Sequence, residues 1–141
     1  EAKLINVDIK TIERADSILR KYSKSSIYYE IKVSTIIGRE IPFVLPISES
    51  EEAKKFNMST DTVVNGFVDI VYKSRDKIIV ADYKTCIFNK SKIDSYNPQI
   101  IFYKTAIRSA LNLSYDPEFK LIFIEDEKVI ENLWGVPFLF I

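Results

Sequence analysis

The sequence predicts an α/β fold in which helices flank a mixed central β-sheet. Three observations indicate this class. Residues 8–22 carry apolar side chains at helical spacing, residues 63–72 and 78–84 form two strand-like runs, and the pair Asn97-Pro98 opens a second helix ahead of another apolar run. Helix and strand signals therefore share one short chain, which is typical of an α/β domain.

The composition predicts one folded domain over residues 1–141. The chain is 47% hydrophobic and its formal net charge is zero. No apolar run reaches the roughly 18 residues of a membrane span, and the single cysteine, Cys86, is typical of a reducing compartment. We therefore expect a cytoplasmic protein without membrane contact. A first residue other than Met, Glu1, and an apolar C-terminal run predict a fragment of a longer protein.

The N-terminal part predicts a helix, a hairpin and a surface segment, in that order. Asp8 is a suitable N-cap for the first helix. Strands are predicted over residues 27–35 and 39–46, with Gly38 as the turn between them. Residues 48–55, acidic and then basic, predict a short surface helix or a loop.

The next two strands predict a second hairpin with a defined register. Four polar residues, Ser74 to Lys77, connect them. If Lys73 pairs with Ile78, Asp69 lies directly opposite Asp82, where Cβ atoms of an antiparallel pair are about 4.5–5.5 Å apart. Carboxylates held this close repel each other unless a cation compensates. The register therefore predicts a site for a divalent metal.

Lys84 adds an amine to this predicted site. Side chains two residues apart on a strand share a face, so Lys84 points the same way as Asp82. The chain contains no histidine, which excludes Ser-His-Asp catalysis and His-bound metals, and one cysteine excludes an iron–sulfur cluster built from this chain alone. Two carboxylates and one amine on a sheet face are the parts of a metal-dependent phosphodiesterase.

The C-terminal part predicts a helix followed by two strands. Asn97 is a suitable N-cap with Pro98 at the first helical position, and the helix runs to about Leu111. Strands are predicted over residues 119–124 and 136–140. Residues 86–113 contain only one acidic residue, Asp94, and four basic ones. The basic residues are Lys90, Lys92, Lys104 and Arg108. Such a basic helix favours phosphate contact, although a solvated helix face explains the same pattern.

Three short motifs appear in order along the chain. They are Gly66-Phe67-Val68-Asp69, Asp82-Tyr83-Lys84-Thr85 and Gln99-Ile100-Ile101-Phe102-Tyr103. In order and spacing they resemble the PD-(D/E)XK nuclease superfamily, in particular its RecB-like branch, in which G-x-x-D, D-Y-K-T and Q-x-x-x-Y follow one another. Residues 39–43 are similar to the preceding strand in the AddA and RecB helicase–nuclease subunits. The resemblance covers about residues 9–112.

The resemblance implies a restriction-endonuclease-like core and a deoxyribonuclease dependent on Mg²⁺ or Mn²⁺. This enzyme would be an exonuclease that processes DNA ends in recombination and repair. Asp69 and Asp82 would bind the metal together with the backbone carbonyl of Tyr83. Lys84 would orient the attacking water or stabilise negative charge on the phosphate.

The resemblance also implies supporting residues and partners. Gln99 and Tyr103 would support the site or contact DNA, and Lys104 is a further candidate for DNA contact. Partners would be DNA, helicase domains of the same polypeptide and a partner helicase–nuclease subunit. The cysteines that hold an iron–sulfur cluster in some relatives are absent.

One departure from the family pattern leaves alternatives open. RecB-like nucleases usually carry a further metal ligand, often a histidine, on an upstream helix, and here only Glu40 or Glu30 is a candidate substitute. An inactive nuclease-fold module that guides DNA or docks a partner is therefore one alternative. A stand-alone exonuclease of a phage or mobile element is another. Gly66 also has a purely structural explanation, as the site of a bulge or of a close backbone approach. Cys86 is predicted to be a buried residue.

Overall fold

The computed structural model describes residues 8–47, 58–59, 61–132 and 139–140. The predicted surface segment at 48–55 lies outside these residues. Within them the chain forms three α-helices, a 3₁₀ helix and a six-stranded mixed β-sheet, so the predicted α/β class is confirmed. No helix in this described part is long and apolar enough to cross a membrane.

Two helices precede the sheet. Helix α1 spans Ile9–Tyr22, and the Asp8 side chain caps it by accepting from the Lys10 amide, as predicted. Helix α2 spans Ser26–Val33, so the predicted strand over residues 27–35 is wrong.

The helical state of α2 has a local and a tertiary cause. Ser25 caps its N-terminus by accepting from the Tyr28 amide. Ile27 and Ile31, one turn apart, are each 5% exposed and belong to a core cluster with sheet residues. Burial of this face outweighs the strand preference of an isoleucine- and tyrosine-rich run.

Strand β1 is a single long strand, Thr35–Pro46, that pairs antiparallel with β2, Val63–Ser74. The predicted hairpin turn at Gly38 is therefore wrong. The register shifts between Ile36 and Gly38, which marks an irregularity of the β-bulge type. A Cβ at Gly38 would lie 2.7 Å from Ile41 Cδ1, so a larger residue there would have to displace the end of the Ile41 side chain.

The sheet has the order β1-β2-β3-β4-β5-β6. The remaining strands are β3 Lys77–Lys84, β4 Glu118–Phe123, β5 Lys128–Asn132 and β6 Leu139–Phe140. Strands β3 and β4 are parallel, whereas every other neighbouring pair is antiparallel. Strand β4 confirms the prediction over 119–124, β5 was not predicted, and β6 is the described part of the predicted last strand.

The crossover from β3 to β4 carries a 3₁₀ helix, Lys90–Tyr96, and helix α3, Asn97–Ala110. Asn97 is not the N-cap of α3, because the 3₁₀ helix continues directly into it. The Asn97 amide donates to the Asp94 carbonyl, and Tyr96 occupies the cap position without a side-chain hydrogen bond. Pro98 lies in the first turn, where its missing N–H is harmless.

Two cores cover the two faces of the sheet. Ile100 and Ile107 of α3 pack with Val80, Leu121 and other strand residues on one face. On the opposite face, α2 packs against a second cluster that includes Ile79 and Ile122. Strand β3 therefore lies between helices on its two faces, and its C-terminal end holds the predicted site.

Candidate active site

Asp82 and Lys84 lie at the end of β3 on the sheet face covered by α3. Strand β3 is otherwise largely apolar and buried, and Asp82 itself is only 4% exposed. Lys84 Nζ lies 2.6 Å from Asp82 Oδ2, and the Lys84 side chain keeps 16% exposure. The predicted shared face is confirmed, and it holds a buried carboxylate whose neutralising amine reaches the surface.

Gln99, in the first turn of α3, connects both groups. Its Nε2 donates to Asp82 Oδ1 over 3.0 Å, and its Oε1 accepts from Lys84 Nζ over 2.9 Å. The same Nε2 donates to the Tyr103 hydroxyl one turn later, over 2.9 Å. One side-chain amide therefore holds the carboxylate, the amine and the phenol in a fixed arrangement.

Asp69 reaches the site from β2. The ladder follows the predicted register, with Lys73 opposite Ile78 and Ile70 opposite Ala81, but regular pairing ends there. Asp69 therefore forms no ladder pair with Asp82. Its Oδ2 instead accepts from the Tyr83 amide over 2.7 Å, so a carboxylate replaces the backbone partner of that N–H.

Burial raises the pKa of Asp82, and the charge of Asp69 raises it further. The ammonium of Lys84, together with a hydrogen bond from Gln99, acts in the opposite direction without cancelling the effect of burial. Asp82 therefore holds its proton more strongly than an exposed aspartate. A bound cation would favour the ionised carboxylate.

Asp82 Oδ2 is the atom of this site that the fold leaves incompletely satisfied. It is buried and receives no hydrogen bond of acceptable geometry, although Lys84 Nζ is its close ionic neighbour. Buried carboxylate oxygens normally accept hydrogen bonds or bind metals. Together with Asp69, this oxygen suits Mg²⁺, which proteins bind through one or two carboxylates while water and phosphate complete the shell.

Aromatic side chains border the site on the β1–β2 side. The Tyr103 ring meets the Phe43 ring edge to face, with centroids 5.4 Å apart. Phe43 pairs with Gly66 across the strands, and a Cβ at Gly66 would lie 3.0 Å from Phe43 Cε1. Gly66 therefore allows the close ring approach that supports Tyr103 and, through it, Gln99.

Several other predicted candidates do not join these residues. Glu40 is exposed and has a φ of 48°, and the described part of the chain contains no group of three acidic, Cys or His side chains arranged for a metal. Glu30 contacts Lys120 on the opposite sheet face. Lys104 is buried at 4% exposure, so α3 does not present the expected basic face. Cys86 is exposed, contrary to the prediction.

A second charged network, on the α2 face, was not predicted from the sequence. Lys120 Nζ lies 3.0 Å from both carboxylate oxygens of Glu30 and 2.7 Å from Glu131 Oε1. The Tyr72 hydroxyl donates to Glu30 over 2.8 Å. Burial lowers the pKa of Lys120, but Glu131 and Glu30 outweigh burial and raise it overall. A lysine inside the apolar run at residues 119–124 was the available signal.

Comparisons with known proteins agree with the motif resemblance. The chain is similar to an ATP-dependent helicase/nuclease subunit of Staphylococcus carnosus, with 29% identity over an alignment of 123 positions, and the alignment covers 79% of this chain. The corresponding proteins of Clostridium acetobutylicum and Clostridium kluyveri are 24% and 26% identical over 86% and 88% of this chain. No family model matches the sequence. The chain spans about a tenth of the length of these relatives.

Proposed function

We propose that this chain is a nuclease domain that hydrolyses DNA phosphodiester bonds with Mg²⁺ or Mn²⁺. The observation that carries the proposal is the meeting of three charged side chains: the buried Asp82 Oδ2 lies 2.6 Å from Lys84 Nζ, and Asp69 accepts from the amide of Tyr83 between them. Asp69, Asp82 and the carbonyl of Tyr83 would hold the metal. When bound, the metal polarises the phosphoryl oxygen and assists formation of hydroxide.

The side chains of this chain supply positioning and charge. Lys84 keeps a positive charge at the edge of the site, where it can stabilise the negative charge that develops on the phosphate. Gln99 fixes the Lys84 ammonium and the Asp82 carboxylate relative to each other through hydrogen bonds of 2.9 and 3.0 Å. Because burial raises the pKa of Asp82, protons compete with the metal, and metal affinity rises with pH.

The wider role that we propose is exonucleolytic processing of DNA ends in recombination and repair. The relatives are named as subunits of an ATP-dependent helicase/nuclease, which supports this role. Proposed partners are DNA, helicase domains of the same polypeptide and another helicase–nuclease subunit. The formal net charge of zero suits a domain to which attached motor domains deliver DNA, since stand-alone DNA binders are usually basic.

A second candidate function is an inactive nuclease-fold module that guides DNA or docks a partner. One observation favours it: within the described residues, no third carboxylate joins Asp69 and Asp82. Metal binding discriminates between the two functions. A nuclease site binds Mn²⁺ through Asp82, whereas an inactive module does not need to.

The test is degradation of end-labelled linear DNA by the full chain with Mg²⁺ or Mn²⁺. Asp82→Asn and Lys84→Ala should each abolish cleavage, while the exposed controls Asp76→Asn and Lys73→Ala should retain it. Manganese binding, followed by electron paramagnetic resonance, should weaken in Asp82→Asn.

Two results would contradict the proposal. Cleavage that survives in Asp82→Asn would assign the activity to another site or to a contaminant. A wild-type chain that is folded but neither cleaves DNA nor binds Mn²⁺ would favour the inactive module.

A further inference from the structure

We propose that a pocket beside the Asp82 site binds one unpaired nucleobase of the DNA strand that is cut. This base pocket has a volume of about 240 Å³ and is lined by residues that include Phe88, Lys92, Tyr96 and Phe123. The inference rests on the proposed function, because it assigns the neighbouring nucleotide to a strand whose phosphate lies at Asp82.

Lys84 connects the base pocket to the candidate active site. Its Nζ lies 2.6 Å from Asp82 Oδ2 and 4.6 Å from the centroid of the Tyr96 ring. Tyr96 therefore forms a wall shared by the two sites. A nucleotide whose phosphate contacts Lys84 has its sugar and base within reach of this wall.

The aromatic walls of the base pocket are held in fixed positions. Phe88 and Tyr96 both meet the ring of Phe123 in edge-type contacts, with centroid distances of 5.3 and 6.3 Å. Phe123 is 1% exposed, whereas Phe88 and Tyr96 remain partly exposed. The Phe88 amide also donates to the Asp126 carboxylate, which fixes the loop that carries the ring. A flat, apolar ligand would therefore meet a preformed cavity.

Lysines at the border of the base pocket favour a ligand that combines a flat ring with negative charge, and the Asp126 carboxylate on this side is engaged by the Phe88 amide. Lys92 lines the pocket, and Lys128 Nζ lies 4.1 Å from the centroid of the Phe88 ring. Aromatic rings interleaved with lysines bind single-stranded nucleic acid, because the rings stack on bases while the cations contact phosphates. Ile87, 64% exposed beside the rings, extends the apolar surface available to the base.

A nucleobase inside this pocket cannot remain paired with a complementary strand. Bases of a duplex are paired and stacked on both sides, and extracting one carries the cost of unpairing and unstacking it. The base pocket therefore favours a strand that is already separated. Such a strand is what a helicase activity would supply.

The test measures binding of the full chain to labelled oligothymidylate by fluorescence anisotropy in EDTA, so that no cleavage occurs. A single abasic residue is moved stepwise along the oligonucleotide. With the wild-type chain, one position of the abasic residue should reduce affinity by about 5- to 150-fold. In Tyr96→Leu and Phe88→Leu the intact oligonucleotide should lose a similar factor, and the abasic residue should have no further effect.

Tyr115→Leu is the matched control, because Tyr115 is a 47% exposed tyrosine that does not line the base pocket. Thermal unfolding of each variant separates lost contact from lost folding. Two results would overturn the base pocket. One is that wild type and Tyr96→Leu bind the intact oligonucleotide with equal affinity. The other is that Tyr96→Leu binds every abasic oligonucleotide more weakly than wild type does, by the same factor at each position of the abasic residue. Neither result affects the proposed nuclease, which the cleavage assay with Asp82→Asn tests independently. A folded wild-type chain that binds no oligonucleotide would also overturn the base pocket.

Discussion

Each face of the sheet holds a lysine that forms an ion pair, and the two lysines differ in exposure and in the number of carboxylates that they contact. Lys120, on the α2 face, contacts Glu30 and Glu131, and its side chain is 8% exposed. Lys84, on the α3 face, pairs only with Asp82 among the carboxylates of the described residues and is 16% exposed. Lysine and carboxylates therefore form a network of three charged residues on one face and a single ion pair with a partly exposed lysine on the other.

This difference supports the proposed division between a structural role on the α2 face and a functional role on the α3 face. Around Lys120, Tyr72 completes the shell of Glu30, so the glutamate has a second partner of its own. Around Lys84, the fold leaves Asp82 Oδ2 without a well-directed hydrogen bond. A fully satisfied buried network fixes a conformation, whereas an incompletely satisfied group at the surface end of a strand is available to a ligand.

The largest effect on folding is expected from Lys120→Met. Removal of the ammonium leaves two glutamates facing each other, and unfolding free energy should fall by about 3 kcal/mol. This loss lies at the low end of the range for breaking a buried ion pair, because the Glu30 side chain keeps 32% exposure. Urea denaturation measures the loss. Glu30→Gln and Glu131→Gln, added to Lys120→Met, should restore part of the stability, and an unchanged midpoint in the single variant would contradict the structural role.

Lys84→Met should affect DNA cleavage more than stability, whereas Lys120→Met should mainly affect stability. Under the proposed nuclease function, DNA cleavage is expected to fall by about 100-fold or more, because the positive charge assigned to transition-state stabilisation is lost. Stability should change less than in Lys120→Met, since Asp82 can take up a proton and still accept from Gln99. Cleavage rates and urea midpoints of the two variants, measured side by side, provide the check. Comparable stability losses would remove the distinction between the two faces.

Two tyrosine variants compare the two networks at the level of single hydrogen bonds. Tyr72→Phe removes a bond to the Glu30 carboxylate and should reduce unfolding free energy by about 1.5–3 kcal/mol. Tyr103→Phe removes a neutral acceptor of Gln99, and the expected loss is about 1 kcal/mol. Thermal or chemical unfolding measures both. A larger loss in Tyr103→Phe would show that the α3 face is the tighter network.

The smallest effect concerns pH. Because the folded-state pKa of Asp82 is raised, its contribution to stability is fully present below the ordinary aspartate value of about 3.9 and is lost as pH rises through the folded-state pKa. The free energy of unfolding of wild type, relative to that of Asp82→Asn, should therefore fall as the pH rises above about 4, by at most about 1.4 kcal/mol per pH unit. Paired urea titrations without metal measure this, and a rising difference would contradict the role of burial.

Local rules predict the hairpin of β2 and β3 well, together with α1, α3 and β4, but they do not predict α2 or the single strand β1. The register from Lys73 and Ile78 follows from the short turn between the two strands, and it brings Asp69 near Asp82 and Lys84 on sequence grounds alone. The hydrogen bond from the Tyr83 amide to Asp69 is beyond such reasoning. It depends on where regular pairing stops, which the alternation of side chains does not encode.

Tertiary burial explains the remaining errors. The isoleucines and tyrosines of α2 favour a strand, whereas packing of Ile27 and Ile31 against the sheet determines the helical conformation. Lysine usually lies at the surface, which is why Lys104 is predicted there, but α3 turns it inward. The sequence shows which residues are charged, while the fold decides which of them meet.

The parallel pairing of β3 with β4 has a consequence for how the protein is made. Strands β1 to β3 form a local meander, but Gln99 lies in the long crossover that must close before β4 docks, and such non-local pairing is slow. During synthesis both aspartates can therefore be in place on a ribosome-bound chain that still lacks the amide joining Asp82 to Lys84. We expect a newly made molecule to acquire its acidic groups first and the hydrogen bonds from Gln99 to Asp82 and Lys84 last, an order set by chain topology.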